Sequence, residues 1–348
     1  MANHRLITTP ARSALACFFW LVLVACGPNR NEPLRLGGET MGTTWSLVIS
    51  QSAGQREARL QSAIEAELVS VNDLASTWQS DSELSQLNQN TSTDWVSVSE
   101  ALYGLLEQAQ LVSEASGGAF DVTVGPLVNL WGFGPDKEPE TIPSDEAIAA
   151  AQALSGRDAV VLRAQPPAVR KSASAVYIDL SASAKGYGVD RVTSLLDQRG
   201  ITDYLFEIGG ELRASGKSPR GDAWKIGVER PIEGERVVHA AVTLDNGALA
   251  TSGDYRNFFE RDGVRYSHTI DPRTGKPITH RLASVSVFAS TSAASDAWAT
   301  ALMVLGEDAG YDLAESRGLA AYFLYKDGDG FKAKVTTAFQ PLLNEDPT

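Results

Sequence analysis

The turn signals in the C-terminal part of the chain constrain its fold most strongly. From Tyr204 onward, short apolar runs are separated by Gly209–Gly210, Asp245–Gly247 and Asp262–Gly263, and a last pair is separated by Asp327–Gly330. Glycine, Asn-Gly and Asp-Gly sequences accept the positive φ that tight hairpin turns require. Turns this short join antiparallel strands, because parallel strands need a crossover of about a dozen residues or more. This part of the chain is therefore predicted to form mostly antiparallel sheet.

Helical periodicity is clearest in the N-terminal half. Apolar side chains recur at helical spacing from Arg56 to Ala75. Ser99 is predicted to cap a second helix that stops at Gly117–Gly118, and Ser144 a third that ends at Gly156. These elements together predict an α+β fold, a single two-lobed domain of mostly antiparallel sheets with packed helices. The remaining predicted elements are helices at 185–199 and 292–305 and strands at 43–50, 160–162 and 176–180.

The first 25 residues are predicted to be a secretory signal. Two arginines precede an uncharged apolar run at 13–25, which is shorter than the ~20 residues of a membrane-spanning helix. The run ends in Leu23-Val24-Ala25-Cys26, a pattern typical of bacterial lipoproteins, and cleavage before Cys26 with lipidation of its thiol would anchor the chain to a membrane. The alternative is an ordinary signal peptide with an incidental cysteine. The predicted boundaries are a lipoprotein signal at 1–25, a tether at 26–36, one catalytic domain at 37–340 and a tail at 341–348.

Composition excludes several classes of protein. The chain has 348 residues and a formal net charge of −13, which argues against nucleic-acid binding, because that needs clustered Lys and Arg. Of its two cysteines, Cys17 lies within the predicted signal, so no disulfide framework is expected. The sequence contains no HExxH, paired CxxC or GxSxG motif, which removes the usual support for a zinc protease, a zinc finger or a serine hydrolase.

The segment from Tyr266 to Gly275 reads YSHTIDPRTG. Tyr266, His268 and Ile270 alternate, so they are predicted to share one face of a strand. Asp271-Pro272 then begins a turn in which Gly275 is free to adopt a positive φ. Taken alone, this pattern favours a hairpin with a hydrogen-bonded histidine.

Asp296 and Thr300 are four residues apart in a predicted helix. This spacing places both side chains on one face, one turn apart. Two hard oxygen donors in that arrangement suit Mg²⁺, which prefers oxygen ligands. The alternative is structural, since an acid near a helix start interacts favourably with the helix dipole and Thr often bonds back to a carbonyl.

Several segments between about residues 38 and 305 resemble the ApbE family, the periplasmic FAD:protein FMN transferases. The resemblance implies an ApbE-like fold related to the T-fold. One position departs from the pattern: relatives often have Asn-x-Gly-Gly-Asp where this chain has Glu207 to Glu211, so the acid at the end is kept but Glu207 replaces the Asn. The similar segments are Met41–Thr44, Trp78 (often Tyr in relatives), Gly118–Leu127, Ile178–Tyr187, the Ser-Gly-Asp-Tyr-Arg run at 252–256, YSHTIDPRTG and the pair Asp296 and Thr300.

The resemblance implies a role for each matched residue. His268 becomes the candidate base, and Asp271 either orients it or only shapes the turn. The Mg²⁺ ligands would be the carbonyl of Ala182 and the side chains of Asp296 and Thr300. Lys185 could contact the nucleotide or could equally be the exposed first residue of a helix. The FAD-contacting residues implied are Met41, Trp78, Ala119, Phe120, Asp121, Asp179, Lys185 and Ile270.

The activity implied is Mg²⁺-dependent transfer of FMN from FAD to a Thr or Ser hydroxyl of a target redox protein, with release of AMP. The implied partners are exported, flavinylated subunits of membrane redox complexes, of the Na⁺-translocating NADH:quinone reductase or Rnf type. The enzyme is expected on the periplasmic side of a bacterial membrane, held by a lipid on Cys26. Two alternatives stay open: a pyrophosphatase that splits FAD into FMN and AMP, and a non-enzymatic flavin-binding lipoprotein.

Overall fold

A computed structural model describes residues 32–51, 57–134, 142–232, 237–253, 258–261 and 263–344. The predicted signal, Cys26 and the run 254–256 lie outside these described residues. Eight α-helices occur within them. They are α1 Glu57–Ala75, α2 Glu83–Gln89, α3 Glu100–Ala115, α4 Gly125–Leu130, α5 Asp145–Gln152, α6 Ser181–Gln198, α7 Ser292–Leu305 and α8 Ala309–Ser316.

The strands pair in antiparallel fashion throughout the described residues, which confirms the predicted fold class. The main sheet has eight strands in the order β1-β2-β6-β7-β10-β15-β16-β17, where these labels follow the chain. The strands are β1 Leu34–Thr40, β2 Thr43–Ile49, β3 Val96–Ser97, β4 Val160–Arg163, β5 Ala168–Lys171, β6 Tyr204–Ile208, β7 Glu211–Ser215, β8 Trp224–Glu229, β9 Val238–Leu244, β10 Asn246–Gly253, β11 Phe258–Arg261, β12 Val264–Ser267, β13 Ile270–Asp271, β14 Lys276–Pro277, β15 Leu282–Ala289, β16 Ala320–Asp327 and β17 Gly330–Val335.

The local sequence signals explain where several helices begin. The hydroxyl of Ser99 accepts a hydrogen bond from Leu102 N at 3.1 Å, and that of Ser144 accepts one from Ala147 N at 3.2 Å. Both serines therefore satisfy an amide that a helix start leaves without a partner, as predicted. Helix α5 ends at Gln152, earlier than the predicted Gly156.

The glycine turn between β6 and β7 has the predicted geometry. Gly209 and Gly210 have φ of 59° and 111°, which non-glycine residues rarely adopt. The carboxylate of Glu207, the residue that departs from the family pattern, accepts a hydrogen bond from Gly210 N at 2.7 Å and so stabilises the same turn.

The strand predicted at 176–180 does not form. Val176, Ile178 and Leu180 are buried, which produced the strand-like alternation. The side chain of Asn88 takes the place of a partner strand: it donates to Ile178 O and accepts from Ile178 N, both at 2.8 Å. A single side chain thus satisfies both backbone groups of Ile178 without a ladder, and the amide of Asp179 donates to Val122 O at 2.7 Å.

Three further predicted boundaries differ from the elements in the structure. Strand β1 begins at Leu34, so the last residues assigned to the tether belong to the main sheet. In the predicted tail, Leu343 bridges to Val242 and the amide of Asn344 donates to Ala241 O at 3.1 Å. Helix α6 begins at Ser181, before the predicted start at Lys185.

Helices α6 and α7 pack against each other and against the main sheet. α6 contacts α1, β6 and β7, whereas α7 contacts β10 and β15. The buried side of α7 includes Leu302 and Met303, which pack on β15 and β16 residues. This pairing of helices supplies the framework for the cavity described below. None of the helices within the described residues is long and apolar enough to cross a membrane.

Candidate active site

A cavity of about 770 Å³ opens beside the N-terminal half of α6 and the middle of α7. Its volume falls within the range of about 300–1,000 Å³ that is usual for small-molecule sites. Two of the predicted site residues, Met41 and Asp271, lie among the described residues but outside the cavity lining. Those that line it are Trp78, Ala119, Phe120, Asp121, Asp179, Ala182, Lys185, His268, Ile270, Asp296 and Thr300.

A glycine allows α6 and α7 to approach closely at the cavity. A Cβ at Gly186 would lie 2.6 Å from the carbonyl carbon of Ser292 and 2.8 Å from Cα of Ala293. The amide of Gly186 donates to Asp296 Oδ2 at 3.1 Å. In a regular helix this amide points to the carbonyl four residues earlier, which is that of Ala182. The close approach therefore brings the Ala182 carbonyl and the Asp296 carboxylate toward the same amide.

The start of α7 is held by an aspartate from α6. Asp190 accepts from Ser292 N through Oδ1 at 2.8 Å and from Ala293 N through Oδ2 at 2.9 Å. Burial raises the pKa of Asp190, and these two hydrogen bonds oppose the shift. A carboxylate at this position also interacts favourably with the positive end of the helix dipole. Asp190 thus fixes the helix end from which Asp296 projects one turn later.

The oxygen atoms around Asp296 suit a magnesium ion. Asp296 is 3% exposed, and Thr300 Oγ1 lies 3.4 Å from Ser252 Oγ across the cavity wall. Asp296 lies beyond the first turn of α7, which weakens the helix-dipole alternative. A carboxylate, a hydroxyl and a carbonyl are hard ligands of the kind Mg²⁺ prefers, with room left for phosphate and water. The described residues contain no cluster of three or more His, Cys, Asp or Glu side chains that could hold a metal ion. This site is of another kind, because Asp296 is its only donor of these four residue types and the other two are the Thr300 hydroxyl and the Ala182 carbonyl.

Lys185 lies between two buried acids. Its Nζ is 3.3 Å from Glu211 Oε1 and 3.8 Å from Asp296 Oδ2. Burial lowers the pKa of Lys185, but attraction to Asp296 and Glu211 outweighs burial, and the net shift is upward. Burial raises the pKa of Glu211 and of Asp296, and Lys185 opposes both shifts. Lys185 is therefore a charged residue inside the cavity wall and not the exposed first residue of a helix.

The segment around His268 departs from the single strand that was predicted. β12 ends at Ser267 and β13 begins at Ile270, so His268 lies in a bend between them. The hydroxyl of Ser267 accepts from Thr269 N at 3.1 Å, and this side-chain bond interrupts the ladder. His268 and Ile270 line the cavity, whereas Tyr266 packs elsewhere, among aromatic rings.

A row of aromatic rings supports the histidine. Phe133 meets His268 edge-on, with ring centroids 6.3 Å apart and an interplanar angle of 71°. Phe133 stacks on Phe259 at 5.5 Å, Phe259 on Tyr266 at 5.0 Å, and Tyr266 on Trp131 at 5.8 Å. Edge-on and offset arrangements at these distances are favourable. The row joins the loop after α4 to the segment that carries His268.

The carboxylate of Asp271 belongs to the turn that follows His268. Its Oδ1 accepts from Arg273 N and Nε, both at 2.9 Å, and its Oδ2 accepts from Arg273 Nη2 at 2.8 Å. Gly275 has φ of 68° and donates its amide to Asp271 O at 2.8 Å. These contacts support the turn-shaping alternative for Asp271.

Of the other residues predicted to contact FAD, Trp78 and Asp121 line the cavity, whereas Met41 lies outside it. Trp78 is 66% exposed and forms part of the cavity lining, so its ring is available to a planar ligand. Asp121 accepts from Thr123 N at 2.8 Å, and burial raises its pKa. Met41 has φ of 49° in the β1–β2 turn, and its Cε would be 3.1 Å from a Cβ at Gly188, so it packs on α6.

Sequence reasoning missed two residues that the structure brings to the cavity. Phe133 lines it beside His268, and Glu211 forms part of the wall with 4% of its surface exposed. The glycine turn before Glu211 was recognised, but its partner Lys185 is distant in sequence. Two signals could have identified Glu211: a charged residue in a strand pattern directly after such a turn, and the acid that relatives carry at the same place.

Comparison with known proteins identifies the family of the chain. The ApbE family model matches residues 41–323. The chain belongs to the ApbE family. A protein named FAD:protein FMN transferase from Vibrio cholerae is 41% identical over 96% of this chain and 100% of its own length. One with the same name from Haemophilus influenzae is 43% identical over 92% and 94%. The structure of flavin transferase ApbE from Vibrio cholerae superposes with a TM-score of 0.83 at 41% identity, covering 90% of this chain and 99% of that one.

Proposed function

We propose that this ApbE-family protein is an FAD:protein FMN transferase. Relatives of this name cover nearly all of the chain at about two-fifths identity. The observation that carries the proposal is that one cavity is lined by Asp296, Thr300 and Lys185 together with His268 and Ile270. A cation site and a fixed ammonium beside a candidate base are what a reaction at a pyrophosphate needs.

The proposed reaction transfers FMN from FAD to a protein hydroxyl. The oxygen of a target Thr or Ser forms a bond to the phosphorus nearest the riboflavin. The bond from that phosphorus to the bridging oxygen breaks, and AMP leaves with that oxygen. The hydroxyl proton passes to the imidazole of His268, which in its neutral form accepts a proton near pH 7. Phe133 restricts the ring of His268 on one side.

Charge on the pyrophosphate must be neutralised during this transfer. The Ala182 carbonyl, Asp296 and Thr300 would hold Mg²⁺, which when bound supplies charge neutralisation at the phosphate oxygens. Lys185 adds a second positive charge from the protein itself. Trp78, Phe120 and Ile270 provide the apolar wall that a flavin ring requires.

The location and the partners belong to the same proposal. An exported chain with a lipid on Cys26 would lie on the periplasmic side of a bacterial membrane. Its targets would be exported subunits of membrane redox complexes, of the Na⁺-translocating NADH:quinone reductase or Rnf type. Attachment to the same surface raises the effective concentration of the enzyme near such subunits.

The test is flavin transfer to an acceptor. The protein is incubated with FAD, Mg²⁺ and an acceptor domain that contains the target Thr, and a denaturing gel is examined for flavin fluorescence, with an EDTA control. A fluorescent acceptor band that EDTA abolishes supports the proposal. AMP release from FAD without a band, across several acceptors, supports the pyrophosphatase alternative. FAD binding without either product supports a flavin-binding lipoprotein.

A further inference from the structure

Glu211 has no role in the reaction described above, yet it is a buried carboxylate at the cavity. It is the first residue of β7, held by the rigid glycine turn that joins β6 to β7. Oε1 lies 3.3 Å from Lys185 Nζ, and the buried Oε2 has no hydrogen-bond partner among the described residues. A buried carboxylate with one oxygen lacking a hydrogen bond destabilises a fold. Such a residue calls for a functional reason.

The position of Lys185 supplies that reason. Its ammonium has two acids in reach, and it lies closer to Glu211 at 3.3 Å than to Asp296 at 3.8 Å. Both acids attract the same ammonium, so each limits how closely the ammonium approaches the other. Without the charge of Glu211, Asp296 becomes the acid that determines where the ammonium lies.

We propose that Glu211 is a positioning residue that holds the ammonium of Lys185 away from Asp296. Asp296 then stays available to bind a divalent cation, and Lys185 stays where it can meet phosphate oxygens. This inference rests on the proposed function, because it takes Asp296 as the cation ligand. On this inference Glu211 raises the affinity for the cation indirectly, by fixing the position of Lys185.

A simpler mechanism also predicts that loss of the Glu211 charge weakens Mg²⁺ binding, and it must be distinguished from the proposed one. Any carboxylate near a cation site attracts the cation, so Glu211→Gln weakens Mg²⁺ binding by direct electrostatics as well. A double-mutant cycle distinguishes the two, because it isolates the part of an effect that depends on a second residue. If Glu211 acts through Lys185, its removal has no effect once Lys185 has lost its charge.

The experiment measures Mg²⁺ binding by isothermal titration calorimetry of the whole chain, without FAD. Glu211→Gln should weaken Mg²⁺ binding by about tenfold, the effect of one charge within ~4–6 Å. Lys185→Met should bind Mg²⁺ at least as tightly as the wild type, and the double variant should equal Lys185→Met. The matched control is Glu67→Gln, because Glu67 of α1 pairs at 2.7 Å with Arg191 of α6, the helix that carries Lys185, but lies outside the cavity lining. This control should bind Mg²⁺ like the wild type.

Each outcome decides a different point. A wild type that binds no Mg²⁺ overturns both the cation site and the inference. A wild type that binds Mg²⁺, with Glu211→Gln equally weak in both backgrounds, overturns only the inference in favour of direct electrostatics. If Glu211→Gln does not fold, Glu211→Asp replaces it: its shorter side chain should weaken Mg²⁺ binding partly in the wild-type background and not at all beside Lys185→Met.

Discussion

The contact between α6 and α7 at Gly186 makes the substitution Gly186→Ala a sensitive test of the site. The added Cβ would clash with the carbonyl oxygen of Ser292 and lie 2.6 Å from its carbonyl carbon, against 3.4 Å for ordinary contact, so the helices must separate by about 1 Å. The three atoms nearest to the new Cβ are all backbone atoms of Ser292 and Ala293, so no side-chain rotation relieves the clash. The separation moves Asp296 away from the Ala182 carbonyl.

The effect of Gly186→Ala on the free energy of unfolding is the balance of two opposing contributions. Overpacking a close contact costs about 1–3 kcal/mol, whereas Gly to Ala inside a helix gains about 0.5–1 kcal/mol. We therefore expect a net loss of about 1–2 kcal/mol in the free energy of unfolding. A displacement approaching 1 Å in an active site lowers turnover by about 10²-fold, and Mg²⁺ demands near-ideal geometry from its ligands.

Two assays on the same protein test this reasoning. Urea unfolding gives the stability, and the rate of AMP release from FAD with acceptor gives the activity. The control is Gly104→Ala in α3, where a Cβ would have no atom within 4 Å, so this variant should gain stability and keep full activity. A Gly186→Ala protein as stable and as active as the wild type would refute the argument that the helix contact sets the site.

Three further predictions address other parts of the structure. His268→Ala should leave FAD binding in EDTA unchanged and slow transfer by at least ~10²-fold, so near-normal transfer would remove His268 from the mechanism. Asp190→Asn should lower the free energy of unfolding in urea by about 1–2 kcal/mol, because one amide at the start of α7 loses its acceptor. An unchanged urea midpoint would contradict the role of Asp190 in holding the start of α7. Burial, with the hydrogen bond to Asp197, raises the pKa of Tyr204 from 10.0 to about 12. The stability from its protonated phenol is present below pH 10 and lost as pH rises to about 12, so the stability advantage of wild type over Tyr204→Phe should shrink across that window.

Local signals predicted many elements of the fold. The α7 bounds agree with the predicted 292–305, and the Ser99 cap and the Gly209–Gly210 turn are present as expected. Each of these depends on neighbouring residues alone. The short helices α2, α4 and α8 were missed, because six to eight residues carry too little periodicity to identify a helix.

Two other failures, the strand predicted at 176–180 and the missed acid at the cavity, share a different physical cause, which is a partner distant in sequence. The backbone groups of Ile178 are satisfied by the side chain of Asn88, and no local pattern shows that a side chain would replace a strand. The same cause applies to the cavity. The resemblance predicted Lys185 and Asp296 as site residues, but the charge balance of the site depends on Glu211 as well. Burial and ion pairing of this kind appear only when the chain is folded.

The order of strands in the main sheet has a consequence for how the protein folds during synthesis. The β1–β2 hairpin is local, but its next neighbour is β6, where Ile208 lies opposite Trp45. All of the chain from the end of β2 to the start of β6 must be closed into a loop before these two strands can pair. The entropy lost in closing it makes this pairing slow. Until residues 204–208 have emerged, β2 remains an open strand edge able to pair with other chains. Truncated chains that end before Tyr204 should therefore aggregate, whereas the complete chain covers this edge itself.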